Sequence, residues 1–173
     1  KKKFKELVQQ GFDAMSLFAW PIVVGTLFVG NDVMALVAGE EFRDSGLILQ
    51  LLIWASGIIF FNAVFAHAIV ALNKQKQTIW AYAITAIAGV TGYFVFIPKY
   101  GPLGAAWMTI ITEGIVALIV FALYVKYSGI RPSFKRWVGA LISCGVMALG
   151  LWVFADLHYA IKILLGATIY GIM

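Results

Sequence analysis

Six apolar stretches, separated by short polar loops whose basic residues gather mostly into every second loop, constrain this chain more than any other feature. The stretches fall at about 14–37, 47–72, 78–97, 103–125, 137–154 and 160–173. A helix needs about 20 apolar residues to cross a hydrocarbon core about 30 Å thick. Each of the first five runs reaches or approaches that length. The last holds about 14 residues, or about 21 Å at 1.5 Å per residue, too short to cross alone. Pro21 lies inside the first run, a position that membrane helices tolerate better than soluble ones. A closed β-barrel would show alternating segments about 10 residues long, and these runs are continuous. The expected fold class is therefore all-α, a polytopic transmembrane helix bundle of about six spans in one membrane domain.

Composition agrees. Hydrophobic residues make up 62% of the 173 and charged residues 12%. A water-facing coat needs about 25–35% charged residues. Lipid is the expected solvent for much of the outer surface.

Loop charge predicts orientation. One side takes the N-terminus, the 73–77 loop and the 126–136 loop. It collects ten of the thirteen cations: Lys1, Lys2, Lys3, Lys5, Lys74, Lys76, Lys126, Arg131, Lys135 and Arg136. The other side takes the 39–46, 99–102 and 156–162 connections and holds Arg43, Lys99 and Lys162. The positive-inside rule places the richer side in the cytoplasm, so the chain is expected to enter the cytoplasmic (inner) membrane from the cytosol. The net charge of +5 is not read as a nucleic-acid footprint, because the excess sits at membrane edges where it attracts anionic headgroups. Trp80, Tyr82, Tyr124, Tyr127 and Trp137 near the inner ends, and Tyr100 and Tyr159 near the outer ends, fit interfacial anchors. Lys1–Lys5 superficially resembles the start of a signal peptide, but the apolar run that follows is too long and no cleavage site is evident. The missing initial Met and the apolar run still open at Met173 lead us to expect a portion of a longer protein.

The inventory for catalysis is thin. Cys144 is the single cysteine, which excludes intrachain disulfides and cysteine-cluster metal sites. No metal-ligand, phosphate-loop or nucleophile-elbow motif occurs, and no cofactor is called for. We therefore expect no enzyme, no catalytic residue and no metal. Glu113 lies about halfway along the fourth run. A carboxylate at mid-bilayer must face the bundle or a wet cavity, or carry a proton. It admits two readings: a polar contact lining a substrate or ion path, or a protonated side chain tying two helices. Thr109, one turn away, could donate a hydrogen bond to it. In the second run, Asn62 and His67 lie about 140° apart around a helix, so they form no single tight site. Each is either an interhelical hydrogen bonder or a path-lining group. The third run carries a stripe of Thr78, Tyr82, Thr85, Gly89, Gly92 and Phe96, a seam along which a neighbour can approach. Asn31-Asp32 is expected to break or cap a helix, with Asp32 as the N-cap of a short turn.

Three stretches together resemble the second half of polysaccharide flippases of the multidrug/oligosaccharidyl-lipid/polysaccharide exporter superfamily. They are Leu36-Val37-Ala38-Gly39-Glu40-Glu41-Phe42, Ala71-Leu72-Asn73-Lys74-Gln75-Lys76, and the run from Phe96 through Ile97-Pro98-Lys99-Tyr100-Gly101-Pro102-Leu103-Gly104-Ala105-Ala106 to Thr109 and Glu113. The last is the most specific. In it Pro98 is expected to stop one helix, Gly101 to permit a reversal and Gly104-Ala105-Ala106 to let the next helix start close by. Beyond about residue 125 the resemblance is only in hydropathy and loop charge. It implies a two-lobed transporter that alternates access and flips a polyprenyl-diphosphate-linked oligosaccharide across the membrane in cell-surface polysaccharide biosynthesis. The partners implied are the bilayer, that lipid-linked oligosaccharide and an N-terminal lobe of the same protein. Lys74 and Lys76 are then inner-rim candidates for contacting the diphosphate; the alternative is that they only set topology. A cation-coupled multidrug antiporter of the same superfamily, a membrane-integral enzyme of lipid-linked sugars and a structural subunit are the competing readings.

Overall fold

The structure, a computed structural model, describes residues 2–154 and 158–172. Lys1, counted above among the cations, Asp156, which opens the 156–162 connection, and the terminal Met173 lie outside the described residues. Regular structure among the described residues is wholly helical. α1 spans Lys2–Ala38, a short 3-10 helix Glu40–Ser45, α2 Gly46–Ala71, α3 Gln75–Ser128, α4 Lys135–Val153 and α5 Tyr159–Ile172. Four helical stretches, Lys2–Ala38, Glu40–Ala71, Gln75–Ser128 and Lys135–Val153, are long and apolar enough to cross a membrane. Large apolar side chains stay on the surface along these helices, with Phe94 78% exposed. Water would penalise such a surface and lipid does not.

At 54 residues, α3 would be about 81 Å long if straight, more than twice the hydrocarbon thickness. It is two helical arms, 75–100 and 102–128, broken at Gly101 (φ 58°, ψ −141°). Those angles are close to the first central position of a type II′ turn, which glycine occupies without steric cost. The arms fold back on each other. A Cβ at Gly89 would stand 3.1 Å from the Thr112 side chain, and one at Gly104 2.4 Å from the Phe96 carbonyl oxygen. Two expectations are corrected here. The helix does not stop at Pro98 but runs on to the reversal at Gly101, because a proline in the last turn deprives only one carbonyl of its donor. The packing face of the first arm is Thr78, Ala81, Thr85 and Gly89, all buried, whereas Tyr82 is exposed. Small side chains permit the close approach, and the bulky ring is turned one residue off the seam.

Two compact units can be distinguished: residues 2–15 with 54–133, and residues 16–53 with 134–172. The first has an aromatic centre. Phe65 packs on Phe121 and Tyr124 with ring centroids 5.0 Å apart and on Phe12 at 5.6 Å; Phe12 also meets Phe61 at 5.7 Å. The Gln9 side chain ties the 129–134 loop to α1, donating to the Ser133 carbonyl at 2.9 Å and accepting from the Ser133 N–H at 2.7 Å. In this unit α2 ends in a Schellman motif. Asn73 has φ 56°, its N–H donates to the Val70 carbonyl, and the Lys74 N–H reaches back to the Ile69 carbonyl. Asparagine is the residue after glycine that most readily accepts this left-handed position.

In the second unit, α1 and α2 meet nearly backbone to backbone. A Cβ at Gly46 would lie 2.4 Å from the Asn31 Cα, and Gln50 donates to the Leu27 carbonyl at 3.2 Å. α1 is continuous through Asn31-Asp32, contrary to the expected break. Instead of capping, Asp32 accepts from Arg43 of the 3-10 helix at 2.7 Å, so its carboxylate is satisfied across the turn. α4 and α5 pack antiparallel, with Gly166 against Met147 and Leu151, and Gly150 against Ile169. Trp20 and Trp137 pack edge to face at 5.3 Å.

Candidate functional site

Every residue singled out from the sequence as a site candidate falls in the first unit. α2 presents Asn62 and His67, the α2–α3 turn Lys74 and Lys76, and the second arm of α3 Thr109 and Glu113.

Asn62 is buried and its Oδ1 has no hydrogen-bond partner among the described residues. A buried acceptor left unmatched costs about 1–3 kcal/mol, so this amide is under pressure to find a donor. His67 is exposed, and its Nδ1 lies 2.6 Å from the Ala63 carbonyl one turn back. A ring nitrogen facing a carbonyl at that distance is the donor of the pair. Asn62 and His67 are not brought together.

Thr109 and Glu113 share a face of the hairpin, but the Thr109 hydroxyl is engaged elsewhere. It donates to the Ala105 carbonyl at 3.0 Å and lies 3.0 Å from the Tyr93 hydroxyl on the facing arm. Since the threonine proton is committed to Ala105, Tyr93 is the donor in that pair. This interhelical clasp was invisible to the sequence reading. Its signal was a tyrosine one residue beyond the glycine seam, opposite a threonine after the turn. Thr112 likewise spends its hydroxyl on its own helix, donating to Met108 and Thr109 carbonyls. Glu113 is half-buried and has no ion-pair or hydrogen-bond partner among the described residues. It is the one carboxylate of this hairpin, and it is placed to meet a proton, a cation or a polar substrate group.

Lys74 and Lys76 are exposed. The Lys74 Nζ sits 5.7 Å from the centroid of the Tyr127 ring, as does that of Lys126. Lys74 and Lys126 are held at the rim by the Tyr127 ring, a weak attraction that leaves their ammonium protons available. Among the described residues no three His, Cys, Asp or Glu side chains converge on a possible metal position.

The second unit contributes a feature the sequence reading missed, an apolar cleft of about 620 Å³. α1 lines it from Leu17 to Val29, α4 with Met147 and Leu151, and α5 from Lys162 to Gly171. Among the described residues Lys162 is its one charged lining residue. Near the α1–α2 junction the charge is organised differently. Arg43 donates to both Glu40 and Asp32, at 2.8 and 2.7 Å. The Arg43 guanidinium holds the Glu40 carboxyl below the ordinary carboxylate range, and its own proton is bound more tightly in return.

No family model matches the chain. Over 98% of its length it is 22% identical to the probable flippase AglR of Haloferax volcanii. Over 98% it is 23% identical to the lipid II flippase MurJ of Thermosipho africanus. The solved structure of a lipid II flippase MurJ in an inward closed conformation superposes with a TM-score of 0.82 at 19% identity, covering 99% of this chain and 38% of that one. The chain spans 37% of the length of each of the two curated relatives.

Proposed function

We propose that the chain belongs to the multidrug/oligosaccharidyl-lipid/polysaccharide exporter superfamily and forms the second lobe of a flippase for a polyprenyl-diphosphate-linked oligosaccharide. The observation that carries this is the end-to-end likeness, in helix order and packing, to part of a flippase. In this reading the lobe works with an N-terminal lobe of the same protein in the cytoplasmic membrane, with the N-terminus of α1 in the cytosol. Alternating access exposes a central cavity first to one face and then to the other. Glu113 and Asn62 line the path, and Thr109 is held beside it by Tyr93. Lys74 and Lys76 meet the diphosphate at the cytosolic rim, where ammonium groups attract anions without a desolvation penalty. The product would feed cell-surface polysaccharide assembly. The protein itself makes and breaks no covalent bond.

The test is a flipping assay in proteoliposomes with the full-length protein and a fluorescent lipid-linked oligosaccharide. Loss of inner-leaflet fluorescence protection at a protein-dependent rate is expected. Export of a cationic drug against a proton or sodium gradient, with no movement of the lipid-linked glycan, overturns the reading in favour of an antiporter that uses Glu113 as its cation site.

A further inference from the structure

The cleft of the second unit plays no part in the proposed path, and its make-up identifies an occupant. We infer that it seats one acyl chain of an anionic glycerophospholipid, with Lys162 holding the headgroup phosphate. The inference does not depend on which substrate the protein moves.

Three observations converge on this ligand. The first is chemistry: the walls contributed by α1, α4 and α5 are mostly aliphatic and aromatic, and the single charge among the described residues is the Lys162 ammonium. A soluble ligand would leave its polar groups unmatched against such walls, whereas a hydrocarbon chain has none to match. The second is dimension. The α1 wall runs from Leu17 to Val29, about 18 Å at 1.5 Å per residue, close to the depth of one leaflet of a hydrocarbon core about 30 Å thick. The third is polarity along the cleft. The Tyr170 hydroxyl donates to the Leu17 carbonyl at 2.9 Å and marks one end. Lys162 lies eight residues back along α5, about 12 Å away, which puts the ammonium towards the other end. A chain laid between them has its tail towards Tyr170 and its phosphate beside Lys162. That lysine has no ion-pair partner among the described residues. Glycine makes the room. A Cβ at Gly25 would touch nothing within 4 Å, so the cleft reaches the α1 backbone there.

The experiment places the full-length protein in phosphatidylcholine vesicles containing a photoreactive phosphatidylglycerol, and maps the adducts by mass spectrometry. Adducts concentrated on residues 17–29 and 159–172 are expected. Gly25→Leu, which fills the cleft without meeting a neighbour, is expected to lower capture about tenfold. Lys162→Gln is expected to lower capture of phosphatidylglycerol about fivefold and leave a photoreactive phosphatidylcholine unaffected. Cys144, 1% exposed, must stay closed to thiol reagents as the sign that each variant is folded; should Gly25→Leu fail this check, the Lys162→Gln comparison decides alone. Adducts spread evenly over exposed faces such as Phe94 and Leu118, capture indifferent to both variants, displacement by a polyprenyl phosphate but not by phosphatidylglycerol, or a cleft closed to every lipid by another segment of the protein would each overturn the inference.

Discussion

Single residues in this protein act mainly through what their backbone or one polar atom can do. Asn73 holds a left-handed φ that a β-branched side chain resists, so Asn73→Val is expected to cost about 1–2 kcal/mol and Asn73→Gly nearly nothing. Thermal unfolding in detergent followed by circular dichroism separates the two. Tyr93 spends its hydroxyl on Thr109 across the hairpin. Interhelical hydrogen bonds in membranes average about 0.6 kcal/mol, so Tyr93→Phe should destabilise by about that much. A double-mutant cycle with Thr109→Val should show a coupling of the same size. Glu40 gives a pH dependence whose sign is fixed. Its folded pKa is depressed below 4.5 by Arg43, so its contribution is present above that value and lost as pH falls through the lowered one. Amide protection factors in the 3-10 helix should therefore hold above pH 4.5 and fall below it, and Arg43→Gln should abolish the change. The groups are fully exposed, so global stability should barely move.

Helices approach one another here where glycine removes a side chain, and that dictates which substitutions an element tolerates. A Cβ at Gly46 would meet the backbone of Asn31, and one at Gly104 the backbone of Phe96. Backbone cannot swing aside, so Gly46→Ala and Gly104→Ala should each cost about 1–3 kcal/mol. Gly92→Ala meets only the flexible end of Met108 and should cost less. For Gly46→Ala, earlier thermal exposure of Cys144 to a thiol-reactive dye gives the measurement, since that buried thiol reports opening of its own unit. Much at this scale was legible in the sequence. Run lengths and the Gly101 reversal followed from hydropathy and turn chemistry. The continuity of α1 past Asn31-Asp32 did not, because local propensity favoured a cap and a distant arginine supplied the competing partner.

For the whole molecule, the central prediction concerns Glu113 and rests on the proposed function. Glu113→Gln keeps shape and removes charge, and it should slow flipping of lipid-linked oligosaccharide at least tenfold without lowering the unfolding temperature. An unchanged rate would leave the carboxylate with a tie between helices as its sole role. The sequence by itself determined that the chain lives in lipid as a helical bundle, because apolar run length and loop charge answer directly to bilayer thickness and potential. It also exposed Glu113, since a carboxylate deep in an apolar run is conspicuous without coordinates. Only tertiary structure decided that Tyr93, not Glu113, takes up Thr109, that Asn62 is buried with an unmatched oxygen, and that Leu17, Met147 and Lys162 enclose one cleft. The reason is physical: hydropathy sums over a helix and survives projection onto one dimension, whereas a hydrogen bond or a cavity depends on which faces of separate helices meet.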